Sequence, residues 1–340
     1  MPVVSTNSLQ LAMVEEVTPG VTPSSPAFML WRTAGEGLTF TPNTSESTEI
    51  SSSGRSRRPS NVTGMTVSGD INFELAKFPA LEAALAAVMG SDWGECPLGG
   101  ASTFDTDRVT IGESLRTFTV EKRFPDPANP GSFFYQRFKG VSFSSFSLNI
   151  SPNNPITGSV GIIGGVPELG GAPLAGATYV SAGSNPIFTA PKVTELSVGA
   201  LGVGTHCWTS MTLSIDSGNR GIPCIGTQGD REVVLGTANV SLTGDVYFSD
   251  QTILQAILDN NTVGNGVITL EDPDDNVYRF DLYGLKPIAG SVSAGGADQD
   301  LVMPLTFEPT PVVVCEDATA GTEWESVITA STIDTAPTLP

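Results

Sequence analysis

Apolar and polar residues alternate along much of this chain, in short runs cut by turns. Val67-Ser68-Gly69-Asp70-Ile71-Asn72-Phe73 is the clearest run, and Leu242-Thr243-Gly244-Asp245-Val246-Tyr247-Phe248 repeats it. A period of two predicts half-buried strands. Soon after each run the period lengthens: residues 78–85 and 251–258 space their apolar positions as helices do. In the first of these, Leu81, Leu85 and Val88 share a face, Pro79 suits the first turn and Gly90 ends the helix.

The rest of the pattern also comes in two rounds. Residues 118–123 read as a strand, Asp126-Pro127-Ala128-Asn129-Pro130-Gly131 as a turn, and 133–138 as the returning strand. Residues 143–150 and 156–163 add two more. In the second round, 208–215 is a strand and Ile268-Thr269-Leu270-Glu271 matches Phe118-Thr119-Val120-Glu121. Residues 278–285 match the stretch ending Phe138-Lys139-Gly140-Val141, and 301–307 closes the set. The predicted fold is mainly β, with two tandem, similar β-sandwich or half-barrel modules, each with a short flanking helix. The predicted boundaries are an N-terminal arm at 1–26, module one at 27–165, a Gly/Pro/Ala-rich linker at 166–192, module two at 193–309 and a C-terminal arm at 310–340. Residues 91–113 read as an irregular insertion. The doubled Ser68-Gly69-Asp70 and Thr243-Gly244-Asp245 read as one structural corner present in both modules.

One segment breaks the pattern. Residues 42–60 are polar, Ser-rich and aperiodic, and carry Arg55, Arg57 and Arg58. A loop this long in a compact domain is functional or disordered. Read as functional, it is an arm docking on an acidic neighbour, either the next copy or the next ring. Its counterpart at 220–231 is shorter.

Composition narrows the function. The 340 residues include 37 Gly and 25 Pro, only 15% are charged, and the net charge is −20. Such a chain has no basic stripe to neutralise phosphates. Its charge reads either as solubility alone or as a surface that sits near DNA without holding it. The four cysteines, Cys96, Cys207, Cys224 and Cys315, form no zinc spacing; reduced thiols are expected, with a disulfide between distant members as the alternative. The N-terminus lacks a secretory pattern, and no apolar run reaches membrane-spanning length. The expectation is a product made in a cytoplasm that stays soluble until it assembles.

Candidate chemistry is sparse. Asp272, Asp274, Asp275 and Asn276 cluster oxygens as a hard cation requires, but without the terminal Glu of a calcium loop. They read better as a hairpin turn. His206-Cys207 holds the single histidine, yet neighbours on a strand point to opposite faces. Asp70 and Asp245 read as duplicated positions, not as a catalytic pair. The expectation is no enzyme, no cofactor and no metal.

Taken in order, Val67 through Leu75, Leu81-Glu82-Ala83-Ala84-Leu85, 118–122, 146–150 with 156–160, 209–215 and 240–245 resemble the major tail tube proteins of long-tailed bacteriophages. The resemblance covers residues 25 to 310, roughly; the 91–113 insertion and the C-terminal arm depart from it. It implies a subunit whose rings stack into a tube that delivers the genome, located in the virion tail. The partners implied are further copies of the chain, the tape measure, terminator and tip proteins, and double-stranded DNA in non-adhesive passage. Duplication predicts a ring of three chains with pseudo-sixfold symmetry, with a six-chain ring as the alternative. Two other readings stand beside it: a capsid decoration or baseplate protein, and a carbohydrate-binding adhesin. Against the adhesin, Trp31, Trp93, Trp208 and Trp324 show no common spacing.

Overall fold

The computed structural model describes residues 4–49, 58–94, 108–199, 201–202, 206–249, 251–292, 300–317 and 322–333. In the first half, β1 is Gln10–Glu15, β2 Thr39–Ser45, β3 Asn61–Glu74, α1 Pro79–Met89, β4 Phe118–Pro125, β5 Phe133–Ile150, β6 Thr157–Ile163 and β7 Val166–Gly170. In the second, β8 is Val193–Val198, β9 Trp208–Asp216, β10 Asn239–Tyr247, α2 Thr252–Leu258, β11 Gly264–Glu271, β12 Val277–Gly290, β13 Val302–Glu308 and β14 Ile328–Ile333.

The two halves repeat one topology. In each, a long strand serves two sheets. The N-terminal part of β5 pairs with β4 and β7, and β4 pairs with β1; the N-terminal part of β12 pairs with β11 and β14, and β11 pairs with β8. Each long strand then bends at a glycine in the left-handed region, Gly140 (φ 72°) and Gly284 (φ 50°). That backbone suits glycine because it has no Cβ to clash. Beyond the bend, β5 pairs with β6 and β12 with β13.

The second sheets are one sheet. Eight strands run β2-β3-β6-β5-β9-β10-β13-β12 without a break. The seam between the halves is the pairing of β5 with β9, from Met211 opposite Ile150 to Asp216 opposite Ser145. A shared core lies behind it. Phe146 is 1% exposed and meets Phe73 of the first half and Phe280 of the second, at centroid distances of 5.9 and 6.3 Å.

Three expected boundaries change. Part of the N-terminal arm is core: β1 pairs with β4 and buries Leu11, Ala12, Met13 and Val14. The stretch at 166–192 does more than link. It supplies β7, a strand at Thr178–Val180 and the fully buried Phe188, which packs on Tyr278 of the second half. Part of the C-terminal arm is core as well, since β14 buries Ile328 and Ala330 against β12. Glycine- and threonine-rich composition marked these stretches as irregular, but the long-range pairing that orders them leaves no local signature.

The hairpin match also shifts. With the bends superposed, Val141 corresponds to Leu285, and their partners are Phe118 and Gly264. Ile268 therefore corresponds to Lys122, not to Phe118. A slip of four residues keeps every side chain on its own face, so alternation alone does not detect it.

Candidate functional site

The eight-stranded sheet has one apolar face and one polar face. The apolar face carries Val67, Ile71, Phe73, Phe146, Leu148, Val160, Leu213, Ile215, Leu242 and Phe307, all buried. The opposite phase of the same strands is Thr39 and Thr41 of β2, then Thr66, Ser68, Asp70, Asn72 and Glu74 of β3. It continues with Ser145, Ser147 and Asn149 of β5, Thr157 and Ser159 of β6, Ser210, Thr212, Ser214 and Asp216 of β9, Ser241, Thr243 and Asp245 of β10, and Thr306 and Glu308 of β13, with Ile163, Tyr247, Val302 and Pro304 as apolar members of the same phase. Strict alternation puts these on one surface.

Short polar side chains tie this surface together across strands. Ser147 and Ser159 hydroxyls are 2.9 Å apart, the Thr212 hydroxyl donates to Asn149 Oδ1 at 2.9 Å, and the Ser210 hydroxyl donates to Asp245 Oδ2 at 2.8 Å. Five carboxylates lie on it: Asp70, Glu74, Asp216, Asp245 and Glu308. All are exposed except Asp245, which is half-buried. Lys286, opposite Glu308 where β12 enters the sheet, is the one basic residue there among the described residues. The surface is hydroxyl-rich and negative, with little that could hold a polyanion.

The doubled motif is therefore not a corner. Ser68, Gly69 and Asp70 lie in the middle of β3, and Thr243, Gly244 and Asp245 in the middle of β10. Nor are they equivalent. Asp70 faces Gly161, Asp245 faces Pro304, and the irregularities at Phe143/Ser145 and Pro287/Ala289 align Gly161 with Thr306. Thr306 faces Thr243, so Asp70 corresponds to Thr243 and the copies are two residues out of phase. The glycines have separate reasons. A Cβ on Gly69 would lie 2.4 Å from the Gly37 carbonyl, and one on Gly244 would lie 2.7 Å from the Ser210 carbonyl.

Of the basic arm, Arg55 and Arg57 lie outside the described residues. Arg58 is exposed and pairs with Glu49 at 3.3 Å. Asp272 is fully buried, and its carboxylate accepts from the Asp274 and Asn276 amides and from the Asn276 side chain, at 2.8 to 2.9 Å. Both its oxygens are used in closing the hairpin. Among the described residues no group of three or more His, Cys, Asp or Glu side chains is gathered closely enough to hold a metal. His206 and Cys207 line an open, mainly apolar cavity of about 670 Å³ beside Trp208 and Leu196. Sequence reading singled out Asp70 and Asp245 but missed Glu74, Asp216 and Glu308. The available signal was the polar phase of the strands, rich in Ser and Thr and almost free of Lys and Arg.

Among the described residues, no helix is long and apolar enough to cross a membrane. No curated protein matches the chain. One family profile does match, described as phage tail tube protein, and it spans residues 6–309 of 340. With a mainly β structure and a match over most of its length, the chain belongs to the phage tail tube protein family and is a structural protein of the virion tail.

Proposed function

We propose that three copies of the chain close into a ring, that rings stack into the tail tube, and that the polar face of the eight-stranded sheet lines the channel through which DNA leaves. The observation that carries this reading is the face itself. It is continuous across both halves and, among the described residues, bears five carboxylates against one lysine. Double-stranded DNA carries one negative charge per about 1.7 Å of axis. A wall of hydroxyls and carboxylates repels it and releases no counterions, so DNA slides without being held. Two similar halves are joined edge to edge through β5 and β9, which supports this count: each chain would supply two of six similar positions in the ring. The arm with Arg55, Arg57 and Arg58 would contact a neighbouring copy or ring, and tape measure, terminator and tip proteins would meet the tube along its bore and at its ends.

Electron microscopy of the purified protein at high concentration tests the reading. Tubes of constant diameter are expected, with three chains per averaged ring. Six whole chains per ring would refute the trimer, and failure to polymerise would favour a decoration or baseplate protein. Tubes carrying Asp70→Arg, Asp216→Arg and Asp245→Arg are expected to retain short duplex DNA in a salt-dependent way. Equal retention by unaltered tubes would refute the assignment of the lining.

A further inference from the structure

Among the described residues the eight-stranded sheet ends in two unpaired edges, the outer edge of β2 and the C-terminal part of β12. Each has a counterpart inside the molecule. β2 pairs with β3 as β9 pairs with β10, and the end of β12 pairs with β13 as the end of β5 pairs with β6. The irregularity in the ladder falls at the same place, between Phe143 and Ser145 and between Pro287 and Ala289. β5 and β9 pair with each other to make the seam within the chain.

We infer that β12 of one copy pairs antiparallel with β2 of the next in the register of that internal seam. Ser147 opposite Ser214 becomes Ser291 opposite Thr39 of the second copy. Phe146 opposite Ile215 becomes Gly290 opposite Phe40, and Ser145 opposite Asp216 becomes Ala289 opposite Thr41. The inference rests on the tube reading above and names the residues that join its subunits.

Two further observations favour a second copy at this place. The Gly37 amide donates to the Asp70 carbonyl on β3, so by alternation the Phe40 amide and carbonyl point outward. β2 carries no charged residue, and although Pro42 blunts one outward position, the open amide and carbonyl of Phe40 invite pairing unless they are covered. The helices give the second observation. α1 lies on β5 and reaches across the internal seam to β9, whereas α2 lies on β12, the edge strand of the sheet among the described residues. Leu85 of α1 is 2% exposed, while Leu258, at the matching place in α2, is 79% exposed. The copy-to-copy seam differs from the internal one at its end. The Ser217 amide donates to the Ser144 carbonyl at 2.8 Å, and its counterpart, Pro42, has no N–H to donate.

Cysteine cross-linking tests the register. Residues directly opposite in an antiparallel pair have Cα atoms about 4.5–5.5 Å apart, within disulfide reach. In chains with Cys96, Cys207, Cys224 and Cys315 replaced by Ser, Thr39→Cys with Ser291→Cys is expected to give chain-to-chain disulfides in assembled tubes. The yield should be at least tenfold above that of Thr39→Cys with Ala289→Cys, which is two residues out of register. Ser147→Cys with Ser214→Cys should close within one chain and leave its mass in denaturing gels unchanged. Monomer bands from tubes visible in micrographs, or equal yield from the out-of-register pair, would overturn the seam and leave the tube reading standing. Failure of the unaltered protein to assemble would remove both. Hydrogen exchange on unaltered protein gives a second readout. The peptide holding Phe40 should exchange at least 100-fold more slowly in tubes than in monomers, and an unchanged rate would contradict the pairing.

Discussion

Replacing Phe146 by Ala probes whether the two halves are one folding unit. The ring is 1% exposed and stands between Phe73 and Phe280, on the strand that forms the internal seam. Removing a buried phenylalanine costs about 3–5 kcal/mol, from lost transfer energy and the cavity left behind. At 1.4 kcal/mol per factor of ten, amides that exchange only by global opening should exchange about 100- to 4,000-fold faster. The prediction concerns location as much as size. Because Phe146 touches the cores of both halves, peptides from β3 and β6 and peptides from β10 and β13 should lose protection equally. Hydrogen–deuterium exchange with mass spectrometry reads each separately, and urea unfolding followed by circular dichroism should stay a single transition at lower midpoint. Loss confined to β3 and β6, or a two-step urea curve, would refute the shared core and restore two independent domains.

Other expectations follow from the same structure. Arg137 and Glu121 are nearly fully buried and paired at 2.7 Å, and Tyr179 donates to Glu121 at 2.6 Å. Arg137→Ala leaves the buried carboxylate without its counter-charge, held by the Tyr179 hydroxyl, and should cost about 3–5 kcal/mol in chemical denaturation, with Arg137→Met plus Glu121→Gln recovering much of it. Burial, and then the hydrogen bond to Glu121, push the Tyr179 hydroxyl well above its ordinary value of 10.0. A group with a raised folded value adds stability that is full below the unfolded value and is lost progressively as pH rises from there through the folded value. Melting temperature should therefore fall as pH rises past 10, and Tyr179→Phe should make that fall shallower. Replacing Arg55, Arg57 and Arg58 by Ser should leave a folded subunit that polymerises poorly, measured as tube length in micrographs, and stacking of the unaltered protein should weaken with salt. Unchanged length would reject a docking role for the arm.

Alternation in this sequence determines much. It marks β3, β5, β9 and β10 as strands, assigns Phe73, Phe146 and Leu242 to the buried phase and puts Asp70 and Asp245 on the other. It also shows that the order of elements is written twice. These are local properties, set by which side of a pleated strand each residue occupies. What the sequence could not determine is register, because a strand has period two and any even slip satisfies the same pattern. The doubled Gly-Asp pairs thus look equivalent and lie two residues apart, and the matched hairpins slip by four. The order of β1, of the 166–192 stretch and of β14 was also illegible, since each is fixed by partners distant along the chain. Only the tertiary structure joined β5 to β9, and that pairing turns two similar halves into one sheet with one acidic face and two open edges.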